Sequence, residues 1–106
     1  VAEVVWAESA LKHVEEIIAF VAGGSISRAD KLQEKLLAAP EILVHTPRLG
    51  RRVPEFNIEE LRELLVKPYR ILYLLRDDTC FVVAVIHARR DLARAFDPTE
   101  IDDLPS

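Results

Sequence analysis

Residues 69–88, YRILYLLRDDTCFVVAVIHA, decide the fold. Two apolar runs rich in β-branched and aromatic residues flank a short polar stretch, the pattern of two strands in an antiparallel hairpin. A turn centred on Asp78 and Thr79 would set Arg76 opposite Phe81, Leu74 opposite Val83, Leu72 opposite Val85 and Arg70 opposite His87. One face would then end in an Arg70 and His87 pair. The other would carry Tyr69, Ile71, Tyr73 and Leu75 against Val82, Ala84, Ile86 and Ala88. A strand wetted on one side alternates apolar and polar residues, and neither run does, so both faces require cover. One face is expected to pack on helices of the same chain and the second to be left for a partner.

Working outward from the hairpin, Glu60–Val66 reads as the preceding strand, joined to Tyr69 by a tight turn at Lys67 and Pro68. Before it, TPRLGRRVPE at 46–55 combines two prolines, a glycine and three arginines, and is expected to form an extended surface loop. At the start of the chain, Val1–Trp6 reads as a first strand. Ala10, Leu11, Val14, Ile17, Ile18 and Val21 then recur at helical spacing over Ser9–Val21. Gly23 and Gly24 are expected to end that helix in a left-handed cap. Ser27, with Asp30 three residues on, is expected to open a second helix whose apolar side is Ala29, Leu32, Leu36 and Leu37. Pro40 should kink or end it before Glu41–Val44 resumes a turn. The order is strand, helix, helix, strand, strand, strand, an α+β chain with helices on one side of a mostly antiparallel sheet.

The length of 106 residues suits one domain, read as residues 1–96 with an acidic tail at 97–106 that is partly disordered or ends in a short helix. No apolar run approaches the roughly 18 residues of a membrane helix and no signal-peptide pattern is present, so a soluble cytoplasmic protein is expected. The chain contains no Met, so an initiator is expected to precede Val1. The lone Cys80 reads as a buried structural thiol. Too few glycines are present for a phosphate loop, and no metal-ligand spacing occurs, so neither cofactor nor metal is expected.

Net charge is −4, yet residues 48–96 carry ten Lys and Arg against seven Asp and Glu, and nine of the ten are arginine. Arginine favours planar contact with carboxylates or phosphates. Arg70 opens an otherwise apolar strand, so its guanidinium needs a partner: either Glu63 on the neighbouring strand or an open site for an incoming carboxylate or phosphate. Arg48, Arg51 and Arg52 read as a solvated basic loop. His13 and His45 read as solvated, whereas His87, beside Arg89 and Arg90, reads either as a packed structural histidine or as part of a site.

These residues resemble the ParE branch of the ParE/RelE toxin superfamily, the toxin half of bacterial type II toxin-antitoxin, or plasmid stabilisation, modules. VVWAESALKHVEEIIAFV resembles the family's strand, tryptophan and first helix; PRLGRRVPE its P-x-x-G-R loop; LRELLVKPYRILYLL its arginine strand and YRI-Y strand; VIHARRD its closing V-x-H-x-R-R-D. The resemblance implies two helices packed on an antiparallel sheet, and a cognate antitoxin, encoded by the adjacent gene, whose C-terminal segment folds on the toxin surface. It places Leu11, Val14, Ile18, Tyr73 and Ala84 near core or antitoxin contacts.

Two activities occur in the superfamily. RelE-like members cut messenger RNA on the ribosome with lysines before the YR motif, the arginine of that motif, an arginine after the last strand and a tyrosine six residues beyond it. This chain keeps the arginines as Arg70 and Arg90, but the lysine positions hold Leu61 and Glu63 and the tyrosine position holds Phe96. Phenylalanine cannot move a proton, and a carboxylate at Glu63 would repel a scissile phosphate. An endoribonuclease would therefore depend on His87 as general base with Arg70 and Arg90 as phosphate clamps. The favoured expectation is a ParE-like toxin that inhibits DNA gyrase by binding, through a rim of Arg62, Arg70, His87, Arg89, Arg90 and Arg94. Direct contact with nucleic acid is not expected. A third reading is an antitoxin-binding module without toxicity.

Overall fold

A computed structural model describes residues 1–99. It contains strand β1 (Glu3–Trp6), helices α1 (Glu8–Ala22) and α2 (Ile26–Ala38), a 3-10 helix (Ala39–Val44), strands β2 (Arg51–Arg52), β3 (Leu61–Val66), β4 (Tyr69–Arg76) and β5 (Thr79–His87), and a short helix α3 (Leu92–Ala95). The five strands form one mixed sheet in the order β1-β5-β4-β3-β2. β1 runs parallel to β5, and every other pair is antiparallel.

The helices begin and end for identifiable reasons. α1 follows Ala7 without a side-chain cap, and it buries Ala10 and Val14. Both glycines after it keep a negative φ, so the turn into α2 is made without the expected left-handed cap. Ser25, not Ser27, caps α2: its extended backbone places Oγ to accept the Arg28 N–H at 3.2 Å. α2 stops two residues before Pro40, whose ring cannot continue it, and the chain tightens into the 3-10 helix.

The hairpin register differs from the expected one. The turn is Asp77 and Asp78, with Arg76 opposite Thr79, and Asp77 takes a φ of 55° that aspartate tolerates better than most residues. A bulge then falls opposite Leu72 and Tyr73: Tyr73 pairs with Val82 and Leu72 with Ala84, leaving Val83 without a direct partner. Together these shifts leave Arg70 opposite Ile86 and Tyr69 opposite His87, one residue from the expected pairing. A slip of one residue exchanges faces. Arg70 and His87 therefore lie on opposite sides of the sheet.

Ile71, Tyr73, Leu75, Cys80, Val82 and Val85 face α1, α2 and the 3-10 helix, where Val14, Leu36 and Leu43 close the first core. The second face bears Leu72, Leu74, Phe81, Val83, Ala84 and Ile86. The expectation from sequence that this face is left for a partner is corrected by the structure: the face is closed. Val53, Phe56 and Ile58 from the loop before β3, and Leu92, Ala95 and Phe96 around α3, cover it from within the chain. The Phe56 and Phe96 rings meet edge to face at 6.0 Å, which ties the two covering segments together. At about 1.5–3 kcal/mol for each large apolar side chain fully buried, this second cluster is a main part of what holds the molecule together.

No helix among the described residues is long and apolar enough to cross a membrane. Of the acidic tail, residues 100–106 lie outside the described residues.

Candidate functional site

The arginines that looked from sequence like one rim separate into two groups. Arg70 projects from β4 onto the second face, where its side chain is 8% exposed. Its Nε donates to Glu63 Oε1 at 2.6 Å, and its Nη1 and Nη2 donate to the two Glu55 oxygens at 2.6 and 2.7 Å. The other Glu63 oxygen accepts from Arg51 Nε. All three nitrogens of Arg70 are thus engaged, and Glu63, fully buried, has a cation on each oxygen. The forked contact is the geometry that arginine and carboxylate favour. It holds the Glu55 carboxyl below the usual carboxylate range and raises the affinity of Arg70 for its proton. Of the two expected partners of Arg70, Glu63 is the one found, and the open phosphate site is not.

Arg62 is also a building element. Its Nη1 donates to the Gly50 and Arg48 carbonyls at 2.9 and 3.4 Å, and its Nη2 to Glu59 at 3.1 Å. Next to it, the Tyr73 hydroxyl donates to the Pro47 carbonyl at 2.8 Å and accepts the Gly50 N–H at 2.9 Å. Burial raises the pKa of this phenol, so it stays protonated to serve as that donor. A Cβ at Gly50 would stand 2.5 Å from the Glu63 carbonyl oxygen and 2.7 Å from the Tyr73 ring. Glycine is required there by close approach of the loop to the sheet.

The second group follows β5. The Arg90 N–H donates to the His87 carbonyl at 3.0 Å, closing a turn that leaves Arg89 and Arg90 exposed. Asp91 caps α3 by accepting the Ala93 N–H, and Arg94, 89% exposed, stands 3.7 Å from the Asp91 carboxylate. His87 is half-buried; its Nδ1 accepts the Arg89 N–H at 3.1 Å, and its ring lies edge-on to Tyr69 at 5.4 Å. It is a packed histidine on the helix side, so Arg70, His87 and Arg90 are not gathered into a catalytic set. The positions that would hold a nuclease's lysines and tyrosine are occupied by Leu61, Glu63 and Phe96, all buried.

Among the residues expected near an antitoxin, Val14, Tyr73 and Ala84 are buried in the chain's own cores, while Leu11 is 45% exposed and Ile18 half-buried. Further exposed apolar side chains on the helices are Phe20, Ile26 and Leu37. His45 is exposed, as expected. His13 is not solvated: its Nδ1 accepts the Val85 N–H at 3.1 Å. Sequence reasoning also missed Glu55, Arg51 and the Tyr73 hydroxyl. One signal was available, since a buried guanidinium has more donors than Glu63 alone can satisfy. Among the described residues, no group of three or more His, Cys, Asp or Glu side chains is placed to hold a metal ion.

Comparison with known proteins agrees with this architecture. The family described as the ParE toxin of the type II toxin-antitoxin system, parDE, matches over residues 4–92. A search of curated proteins gives no match. Among solved structures, one titled chromosomal ParDE TA system from P. aeruginosa superposes with a TM-score of 0.67 at 15% identity, covering 81% of this chain and 95% of the other. At that identity the likeness is one of fold: strand, two helices, then an antiparallel meander. The profile match, over most of the chain, carries the assignment: this chain belongs to the ParE toxin family of type II toxin-antitoxin systems.

Proposed function

We propose that this toxin acts by binding DNA gyrase through the exposed arginines after β5, Arg89, Arg90 and Arg94, with no cleavage chemistry of its own. The observation that carries this reading is the occupied state of Arg70. A buried guanidinium whose three nitrogens already meet the Glu55 and Glu63 carboxylates has its charge matched within the chain and is poorly placed to clamp a phosphate. Exposed arginines on a short turn, by contrast, supply anchors and electrostatic steering for an acidic surface.

Neutralisation falls to a cognate antitoxin. Its docking surface is on the helical hairpin, where Leu11 and Phe20 of α1 and Leu37 of α2 present apolar area to solvent and Ile18 is half-buried. The deciding experiment is a supercoiling assay with purified gyrase. Excess toxin should stop supercoiling, and equimolar antitoxin should restore it. Full gyrase activity under excess toxin would reject the target, and cleaved transcripts from ribosomes incubated with the toxin would replace it with a nuclease.

A further inference from the structure

β5 runs for nine residues and β1 for only four, so β1 covers the outer edge of β5 only from Thr79 to Val82. Past Val82 that edge has no strand beside it among the described residues, and the bulge at Val83 disturbs it further. Helix α1 takes over. The Ala7 N–H donates to the Val82 carbonyl at 2.9 Å. The Ser9 hydroxyl donates to the Val83 carbonyl at 3.0 Å, and the Val85 N–H donates to His13 Nδ1 at 3.1 Å. Ser9 and His13 are one helical turn apart and share a face, so α1 continues the ladder with side chains in place of a strand.

The two contacts differ in one respect. A serine hydroxyl keeps its role at any pH, whereas Nδ1 accepts a hydrogen bond only while it carries no proton. We propose that His13 is a proton-operated fastener for the end of β5, holding the Val85 N–H when neutral and releasing it when protonated, and so loosening the strand that leads to Arg89 and Arg90. The charged groups that act on His13 are Glu16, on its own helix, and Arg90, in the turn after β5. Burial lowers its proton affinity most; Glu16 opposes that and Arg90 adds to it. The neutral state is therefore the one built into the fold.

The sign follows. With the folded value below the usual imidazole value of about 6.5, the His13 contribution to stability is fully present above that pH. It is lost as pH falls towards the folded value.

The test is amide exchange of the intact chain followed by NMR between pH 7.5 and 5, corrected for intrinsic rates, with the His13 imidazole titrated in the same samples. Protection of the Val85 amide should fall about fivefold across the His13 titration, the size of one net hydrogen bond, while that of Leu74 in the sheet centre stays constant. In His13→Asn, whose side-chain oxygen accepts at any pH, the Val85 step should vanish. Val85 protection that stays flat while His13 titrates would overturn the proposal, as would a step that persists in His13→Asn. The wild-type curve decides alone if the variant does not fold. Neither readout involves gyrase, so the result stands apart from the toxicity reading.

Discussion

Two sets of arginines belong to one sheet and its closing turn and have opposite fates. Arg70, Arg62 and Arg51 face carboxylates and loop carbonyls, and their charge is consumed in holding the 47–59 loop against β3 and β4. Arg89, Arg90 and Arg94, a few residues beyond β5, remain at the surface. The difference comes from register and not from residue type. A side chain that points into a covered face must find a partner within the chain, whereas one beyond the last ladder bond need not. In this chain Arg70 is part of the architecture, and Arg89, Arg90 and Arg94 stay exposed.

That contrast can be broken in three places. Substituting Arg70→Met strands Glu63 in the core with only Arg51 as partner, and should cost about 3–5 kcal/mol in urea unfolding. Adding Glu63→Leu should recover most of the loss, because an apolar pair of similar volume replaces an ion pair at little cost; no recovery would mean that the network matters for more than charge balance. A smaller effect is expected from Tyr73→Phe, which leaves the Gly50 N–H and Pro47 carbonyl without their partner. About 1–2 kcal/mol of stability should go, read as a lowered Tm. Smallest in stability is the double change Arg89→Ala and Arg90→Ala, expected within about 0.5 kcal/mol of the parent. Its inhibition of supercoiling should nevertheless drop steeply. A variant of normal stability and normal potency would remove these arginines from the proposed target surface.

The order of elements was legible because periodicity is local: apolar residues at three- and four-residue spacing in α1, the unbroken apolar runs of β4 and β5, Pro40 at the end of α2. Register was not, because a left-handed Asp77 and one unpaired Val83 leave no clear trace in hydropathy. The site followed the same division. Glu63 could be named as a partner of Arg70, since neighbouring strands bring them together. Glu55 could not, because it arrives from an irregular loop whose path the strands do not dictate. His13 looked solvated because its helical position gives no hint of a β-strand edge beside it. Likewise, the short helix α3 and the 53–58 loop close the face reserved in the sequence reading for a partner, a consequence of tertiary folding that composition cannot reveal.

The parallel pairing of β1 with β5 also has a temporal meaning. Ser9 and Val83 bond across a separation of 74 residues. Contacts so distant in sequence close a large loop, and chains dominated by them fold slowly. During synthesis the opening VVW segment emerges long before the strand it joins exists. It must wait, with α1 already able to coil behind it, until β5 leaves the ribosome. A segment made before β5 is thus among the last to find its place, and the sheet stays incomplete until β5 is available.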